Sequence, residues 1–337
     1  MIREAINRVC HRENLSREEA RLCMAQMMDG TASTSQVASF LTALAMKGET
    51  VDELIGCALA MKEKATKIST KRTPVLDTCG TGGDGAQTFN ISTAAAFVVA
   101  ASGVCVAKHG NGAVSSQCGS ADAAGALGIK LDAPAAKLEE CLEKIGICFL
   151  FAPSLHKSMK TASAACKETG IRNIFNLVGP LANPAGAKRQ ILGVYQADLT
   201  EKFALALKEL GCTRALVVHG LDGLDEISIS APTKVTELRD GNIHTYEIKP
   251  GDFGIPGVRL GEMAGATPVE NAEMIVNVLR GAKGAKREIV VLNSAAGLLV
   301  AGRVDNLKAG VREAARLIDS GAALSKLDEL RRVTSSA

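Results

Sequence analysis

The chain has 337 residues, enough for about two domains, and its 47% apolar and 22% charged residues are typical of a globular protein with a large core. The 39 basic and 36 acidic residues leave a net charge of only +3, which argues against nucleic-acid binding because nucleic-acid-binding proteins usually have a marked basic excess. The ten cysteines include no C-x-x-C pair, which predicts reduced core thiols of a cytoplasmic protein rather than a zinc site or a disulfide framework.

Residues 1–67 are predicted to form a small helical domain. Ser16 is expected to cap one helix, a second helix is expected over residues 35–46, and Thr50 is expected to cap a third. The N-terminal residues are charged throughout and do not resemble a signal peptide. A polar, basic stretch over residues 66–74 marks the expected domain boundary.

Residues 74–337 are predicted to form a large α/β domain, because short apolar runs alternate with helical patterns. Strands are expected at 75–78, 104–108, 147–151 and 215–219, and helices at 92–102, 134–145 and 198–210. The uncharged stretch 85–107 predicts a buried helix and strand rather than a membrane span.

The runs 227–229, 235–238 and 243–248 alternate apolar and polar residues, which predicts an antiparallel addition to the sheet. Residues 268–333 are expected to be mostly helical. The predicted fold class is therefore α/β, with a small N-terminal helical domain and a mixed, mostly parallel central sheet covered by helices.

Two candidate anion-binding segments follow the first predicted strand. The glycine-rich turn DTCGTGGD (77–84) allows backbone N–H groups to converge on an anion, although a plain tight turn has the same composition. The segment NIST (90–93) begins an alanine-rich helix, where free N–H groups and hydroxyls favour phosphate; simple helix capping is the alternative.

Two further polar segments follow later strands, where ligands bind in open α/β sheets. KHGN (108–111) places a lysine at a strand end, and Ser115, Ser116, Gly119, Ser120 and Asp122 form a hydroxyl-rich turn after it. HGLDGLDE (219–226) contains the adjacent carboxylates Asp225 and Glu226, which suit Mg²⁺, although such a pair also occurs in solvated turns.

Taken together, these motifs resemble the anthranilate phosphoribosyltransferase family, which is related to class II nucleoside phosphorylases. GTGGD, NIST, KHGN, GSAD, IFNLVGPLANP (174–184) and HGLDGLDEIS occur in the family's order, and the resemblance runs from residue 36 to residue 302. It implies a cytoplasmic homodimer formed through the helical domain, to which a helical segment near 165–185 is joined. It also implies the transfer of phosphoribose from phosphoribosyl pyrophosphate to the amine of anthranilate, with release of pyrophosphate, in tryptophan biosynthesis.

The resemblance also implies which residues bind the substrates and metal. The residues that hold phosphoribosyl pyrophosphate, the donor, would be Gly80, Thr81, Gly83, Asp84, Thr88, Asn90, Ser92, Thr93, Lys108 and Ser120. Two Mg²⁺ per subunit would bind Ser92, Asp225 and Glu226, and the acceptor would contact Gly80, His109, Asn111, His156, Cys166 and Pro180. No acid–base residue is implied, because an aromatic amine is already a nucleophile and needs mainly positioning and electrostatic stabilisation.

Three positions depart from the family pattern, all on the acceptor side. Cys166 replaces the arginine that recognises the anthranilate carboxylate, Gly112 replaces an arginine after KHGN, and Lys157 replaces a proline. Either Lys157 or Arg172 supplies the missing charge, or the acceptor is a different aromatic amine. Two further hypotheses are a nucleoside phosphorylase that uses inorganic phosphate without the Mg²⁺ pair, and a non-catalytic relative that binds nucleic acid. No membrane partner is expected.

Overall fold

The computed structural model describes residues 1–113 and 117–336, without the side chains of residues 159–161. The predicted turn residues Ser115 and Ser116 lie outside the described residues. The N-terminal part is a bundle of four helices, α1 Ile2–Cys10, α2 Arg17–Met28, α3 Thr34–Lys47 and α4 Val51–Lys64.

Capping side chains set the starts of three of these helices. Ser16, Ser33 and Thr50 each accept a hydrogen bond from a backbone N–H in the first turn, which satisfies a donor that lacks an intrahelical partner. The helices predicted from Ser16 and Thr50 are confirmed, and the second helix spans one more residue at each end than expected. Helix α1 has no side-chain cap, which is why its start was not predicted individually.

The large part contains a seven-stranded sheet in the order β3-β2-β1-β4-β5-β6-β7. The pairs among the first five strands are parallel, and β6 and β7 add antiparallel. The predicted fold class is confirmed. The strands are β1 Val75–Gly80, β2 Cys105–Gly110, β3 Ile147–Phe151, β4 Arg189–Gly193, β5 Arg214–Gly220, β6 Thr233–Arg239 and β7 Asn242–Ile248.

The strands of the structure depart from the predicted ones in two places. Strand β4 was not predicted, because its apolar run is short and follows a basic segment. The predicted strand 227–229 is wrong. Ile227 instead bonds through both its N–H and its C=O to the side chain of Asn293, at 2.9 Å in each case, so this part of its backbone pairs with a helix side chain and not with a strand.

Helices cover both faces of the sheet. The helices that follow the bundle are α5 Ile91–Ala101, α6 Ser120–Ala126, α7 Ala135–Ile145, α8 Ala152–Leu155, α9 Lys160–Thr169, α10 Ile174–Val178, α11 Leu199–Glu209, α12 Pro268–Leu279, α13 Ala285–Val300, α14 Leu307–Asp319 and α15 Ala322–Ser335. Among them, α5, α7, α11 and α13 pack directly against strands. Helix α5 and strand β2 occupy the long uncharged stretch, as predicted, and both are almost wholly buried. Within the described chain, no helix has the length and apolar character needed to cross a membrane.

The segment containing α9 and α10 returns to the N-terminal bundle. Ala165 and Phe175 belong to the same apolar cluster as Met24, Leu41 and Met61 of the bundle. This cluster continues to the buried face of β4, β5 and α11. The segment that follows α10 is therefore held between the bundle and the sheet.

Replacement of Asn293 by leucine tests the contact that replaces the expected strand. The substitution leaves the buried N–H and C=O of Ile227 without their partners, so we expect the free energy of unfolding to fall by about 1–3 kcal/mol in a denaturant titration. Asn277→Leu, at an exposed position of α12, is the control and should change it by less than about 0.5 kcal/mol. Equal effects of the two variants would contradict the structural role of Asn293.

Candidate functional site

The polar loops that follow β1 and β5 meet at the carboxyl end of the sheet. Asp225 Oδ2 accepts a hydrogen bond from the Gly82 N–H at 2.8 Å, and the Asp225 N–H points to Asp84 Oδ2 at 3.4 Å. Glu226 Oε1 accepts from the Ser92 N–H at 3.0 Å. The glycine-rich turn, the start of α5 and the acidic pair thus form one site.

Two glycines allow the acidic loop to cross the end of β4, which lies between β1 and β5. Gly80 and Gly193 are opposite each other in the β1–β4 register. A Cβ at Gly193 would overlap the Asp225 backbone carbonyl, and a Cβ at Gly80 would overlap the Asp225 carboxylate. The requirement at Gly193 was missed because its partner is 32 residues away and nothing in its local sequence indicates the contact.

The glycine-rich turn is shaped by backbone conformation and by bonds to β4. Gly82 and Gly83 have φ values of 66° and 74°, which side chains with a Cβ rarely adopt. The Thr81 N–H donates to the Gly193 carbonyl at 2.9 Å, and Thr81 Oγ1 accepts from the Tyr195 N–H at 3.2 Å. The turn is therefore anchored through Thr81, the residue that precedes these two glycines.

Lys108 provides the positive charge of the site. Its ammonium is buried at the end of β2 and donates to the Thr78 carbonyl and, at 3.2 Å, to Ser92 Oγ. Burial lowers the pKa of Lys108, while the negative charges of Asp77, Glu226 and Asp225 act in the opposite direction.

Burial shifts the pKa values of the two carboxylates, Asp225 and Glu226, in the opposite direction. Burial, with the negative charge of Asp84 nearby, raises the pKa of Asp225 to about 7, and burial with the charge of Asp225 raises the pKa of Glu226 to about 8. A divalent cation between them would relieve this repulsion, and oxygen ligands of this kind suit Mg²⁺. Across residues 1–113 and 117–336, no group of three or more His, Cys, Asp or Glu side chains is arranged to hold a metal ion.

The remaining predicted donor residues line the same edge. The Asn90 side chain donates to the Cys118 carbonyl at 3.3 Å and accepts from Asn271 Nδ2 at 3.0 Å, and these two hydrogen bonds hold it in place. Thr93 Oγ1 is buried without a hydrogen-bond partner among the described residues. Thr88 forms an isolated bridge with Ala264 at the rim. The positioning residue Asn271, on α12, was missed because it lies 181 residues from Asn90.

Ser120 lies between the donor and acceptor sides. Its hydroxyl bonds the backbone of Asn111, accepting from the N–H at 3.2 Å and donating to the carbonyl at 3.3 Å. Asn111 itself is exposed, and its side-chain oxygen accepts from the Gly112 N–H at 2.8 Å. Ser120 therefore fixes the loop that presents Asn111.

The predicted acceptor residues His109 and His156 lie together. Their rings are 5.4 Å apart between centroids. Burial lowers the pKa of His109 to about 3 and that of His156 to about 4, so both imidazoles are neutral near pH 7. Pro180 is also buried, and its carbonyl accepts from Gln190 Nε2 at 2.7 Å.

The surroundings differ among the three residues considered for the charge of the acceptor carboxylate site, which are Cys166, Arg172 and Lys157. Cys166 is half-buried, with Sγ 4.0 Å from Asn173 Oδ1. The Arg172 guanidinium donates to the Gly83 carbonyl and lies 3.7 Å from the centre of the Tyr195 ring. Lys157 is exposed. The Arg172 guanidinium is thus held at the glycine-rich turn.

The chain matches known proteins over its full length. The helical bundle domain of the glycosyl transferase family matches residues 3–65, and the a/b domain of that family matches residues 72–324. The anthranilate phosphoribosyltransferase of Desulfosudis oleivorans is 52% identical over 337 residues, covering 100% of this chain and 99% of the relative.

Two solved structures show the same fold. The anthranilate phosphoribosyltransferase of Thermus thermophilus has a TM-score of 0.93 and 40% identity, covering 98% of this chain and 99% of that chain. The Saccharomyces cerevisiae enzyme in complex with PRPP and Mg has a TM-score of 0.92 and 27% identity, covering 100% of this chain and 98% of that chain.

The raised pKa values of Asp225 and Glu226 predict a stability difference. Between about pH 4 and about pH 8 the folded protein holds protons that the unfolded chain has released, so rising pH destabilises the metal-free wild type. The Asp225→Asn, Glu226→Gln double variant lacks this effect. Its Tm relative to wild type, measured in a chelator, should therefore increase as the pH rises through this range.

The control for this comparison is the double variant Glu273→Gln, Asp305→Asn, which removes two exposed carboxylates. Its Tm relative to wild type should show little dependence on pH. A difference between the site variant and wild type that stays constant with pH would contradict the proposed burial of charge.

Proposed function

Because the chain belongs to the anthranilate phosphoribosyltransferase family, we propose that it transfers phosphoribose from phosphoribosyl pyrophosphate to the amine of anthranilate and releases pyrophosphate. The observation that supports this most directly is the convergence of Lys108, Ser92 and the Asp225–Glu226 pair on the glycine-rich turn. This arrangement of one cation, a helix N-terminus and two carboxylates suits a magnesium-bound polyphosphate.

On the donor side, we propose that the glycine-rich turn, Asn90, Thr93, Lys108 and Ser120 hold the phosphates and ribose. Mg²⁺ would bind Ser92, Asp225 and Glu226, with two ions per subunit, and would stabilise the negative charge that develops on the departing pyrophosphate. Lys108 is already bonded to Ser92 and lies near Glu226, so the ammonium and the metal ligands act on the same leaving group.

On the acceptor side, we propose that His109, Asn111, His156 and Pro180 form a neutral pocket for the aromatic ring. With a pKa of about 3, His109 is a weak base and a poor candidate for proton abstraction. The pocket therefore favours the reaction by orienting the amine towards the ribose carbon rather than by acid–base chemistry.

We also propose that the protein is a cytoplasmic homodimer assembled through the helical domain. Met46 on α3 leaves 73% of its surface exposed, which suits a contact with a second subunit. Cys23, Cys57 and Cys148 are fully buried in the core, as expected for thiols that stay reduced.

Pyrophosphate release by the purified protein tests the proposed function. We expect release only when phosphoribosyl pyrophosphate, Mg²⁺ and anthranilate are all present, together with loss of the anthranilate fluorescence. Release that needs another aromatic amine would contradict the acceptor assignment. Cleavage of a nucleoside by inorganic phosphate without Mg²⁺ would favour the phosphorylase alternative.

The Cys166→Arg variant tests the missing carboxylate contact. In this structure Arg172 bonds to Gly83 and Lys157 is exposed, so neither occupies the place of the family's arginine. An arginine at position 166 restores a charge-assisted contact, and we expect the KM for anthranilate to fall about tenfold to a hundredfold.

The matched control for this variant is Ala164→Arg, which adds the same charge at an exposed position of α9. Its KM for anthranilate should stay within about threefold of the wild-type value. Equal KM values for wild type and Cys166→Arg would show that another group already binds the carboxylate.

A further inference from the structure

Asp77 is a buried carboxylate beneath the active site that the proposed chemistry does not use. It lies in β1 with no exposed surface. Its Oδ1 accepts from the His109 N–H at 3.0 Å, and its Oδ2 accepts from Asn183 Nδ2 at 2.7 Å. Burial raises the pKa of Asp77, and the hydrogen bonds from Asn183 and the His109 N–H, together with the positive charge of Lys108, act in the opposite direction.

Asn183 is fixed in one orientation by its other bonds. Its Nδ2 also donates to the Ala107 carbonyl at 2.9 Å, and its Oδ1 accepts from the Ala185 N–H at 2.8 Å. Asn183 follows the 3-10 turn Gly179–Leu181, which contains the acceptor residue Pro180. The amide therefore ties the acceptor segment to both β1 and β2.

The part of β2 held in this way faces both substrates. Neighbouring side chains on a strand point to opposite faces. Lys108 bonds to Ser92 on the donor side, whereas His109 lies against His156 on the acceptor side. The Asp77–Asn183 pair contacts two backbone groups of β2, the Ala107 carbonyl and the His109 N–H, which flank Lys108.

We propose that Asp77 and Asn183 are positioning residues that fix the acceptor pocket relative to the donor site. This inference rests on the proposed function. The pair joins the strand that presents Lys108 and His109 to the segment that presents Pro180, so a displaced pair moves the amine away from the ribose carbon. Small displacements of reacting groups are costly, at about a hundredfold in rate for 1 Å.

The Asp77→Asn variant removes the pair while conserving its shape. The new amide can accept from the His109 N–H, but its NH₂ then opposes the NH₂ of Asn183, which the Ala185 N–H prevents from rotating. We expect kcat/KM for anthranilate to fall about tenfold to a hundredfold. Asp77→Asn also removes a negative charge that acts on Lys108, so donor binding is compared in Asn183→Ala, which keeps that charge. In Asn183→Ala the Kd of phosphoribosyl pyrophosphate with Mg²⁺, measured by calorimetry, should stay within about threefold of wild type.

The exchanged double variant Asp77→Asn, Asn183→Asp separates positioning from general damage. It restores the hydrogen bond between the two side chains with donor and acceptor reversed, so it should recover about tenfold of the lost kcat/KM. Asn183→Ala is the second test if Asp77→Asn does not fold, because in this variant Asp77 keeps its hydrogen bond from the His109 N–H. Asn183→Ala should raise the anthranilate KM and leave the donor Kd unchanged.

Glu53→Gln is the matched control. Glu53 is another fully buried carboxylate, in the helical bundle, where it pairs with Lys47 at 2.9 Å. This variant should lower Tm and leave both the anthranilate KM and the donor Kd unchanged.

Three outcomes would overturn the inference. They are an unchanged kcat/KM in Asp77→Asn, a loss of donor affinity in Asn183→Ala as large as its loss of kcat/KM for anthranilate, or a folded exchanged variant without recovery. A wild-type protein that does not turn over anthranilate would overturn the proposed function itself, and with it this inference.

Discussion

Charge of both signs is buried at the carboxyl end of the sheet, and the local structure is built around it. Lys108 and Asp77 lie in neighbouring strands, and Asp225 and Glu226 reach the glycine-rich turn and the start of α5 from beyond β4. Each charged group has backbone, hydroxyl or amide partners, which lower the cost of burial but leave Asp225 and Glu226 with raised pKa values. A magnesium-bound polyphosphate brings the charges that this arrangement lacks.

The acceptor side follows a different principle, because its groups are neutral. His109 and His156 stay uncharged near neutral pH, and Pro180 adds an apolar wall. Cys166 adds no charge in place of the family's arginine, and Arg172 bonds to the glycine-rich turn instead. Under the proposed function, the donor would be bound by charge, and the acceptor by shape and by the position of the surrounding backbone.

The sequence predicted features whose signals are local. Each of these signals lies within a few residues of the structural feature that it predicts. Examples are the capping residues Ser16 and Thr50, the alternation of strands and helices, and the motifs at the strand ends. Contacts between distant residues were not predictable from one sequence: Asn293 with Ile227 and Asn271 with Asn90 are 66 and 181 residues apart. The strand predicted at 227–229 is wrong for this reason, because the backbone of Ile227 bonds to the distant Asn293 side chain and not to a neighbouring strand.

The dependence of magnesium binding on the donor tests the account most directly. The proposed site offers two carboxylates and a hydroxyl for two Mg²⁺ ions, so the account has phosphate oxygens and water supply most of their ligands. Calorimetric titration of Mg²⁺ into the protein should show weak binding alone and tight binding once phosphoribosyl pyrophosphate is present. Tight Mg²⁺ binding without phosphoribosyl pyrophosphate, or equally tight binding of phosphoribosyl pyrophosphate in a chelator, would contradict the account.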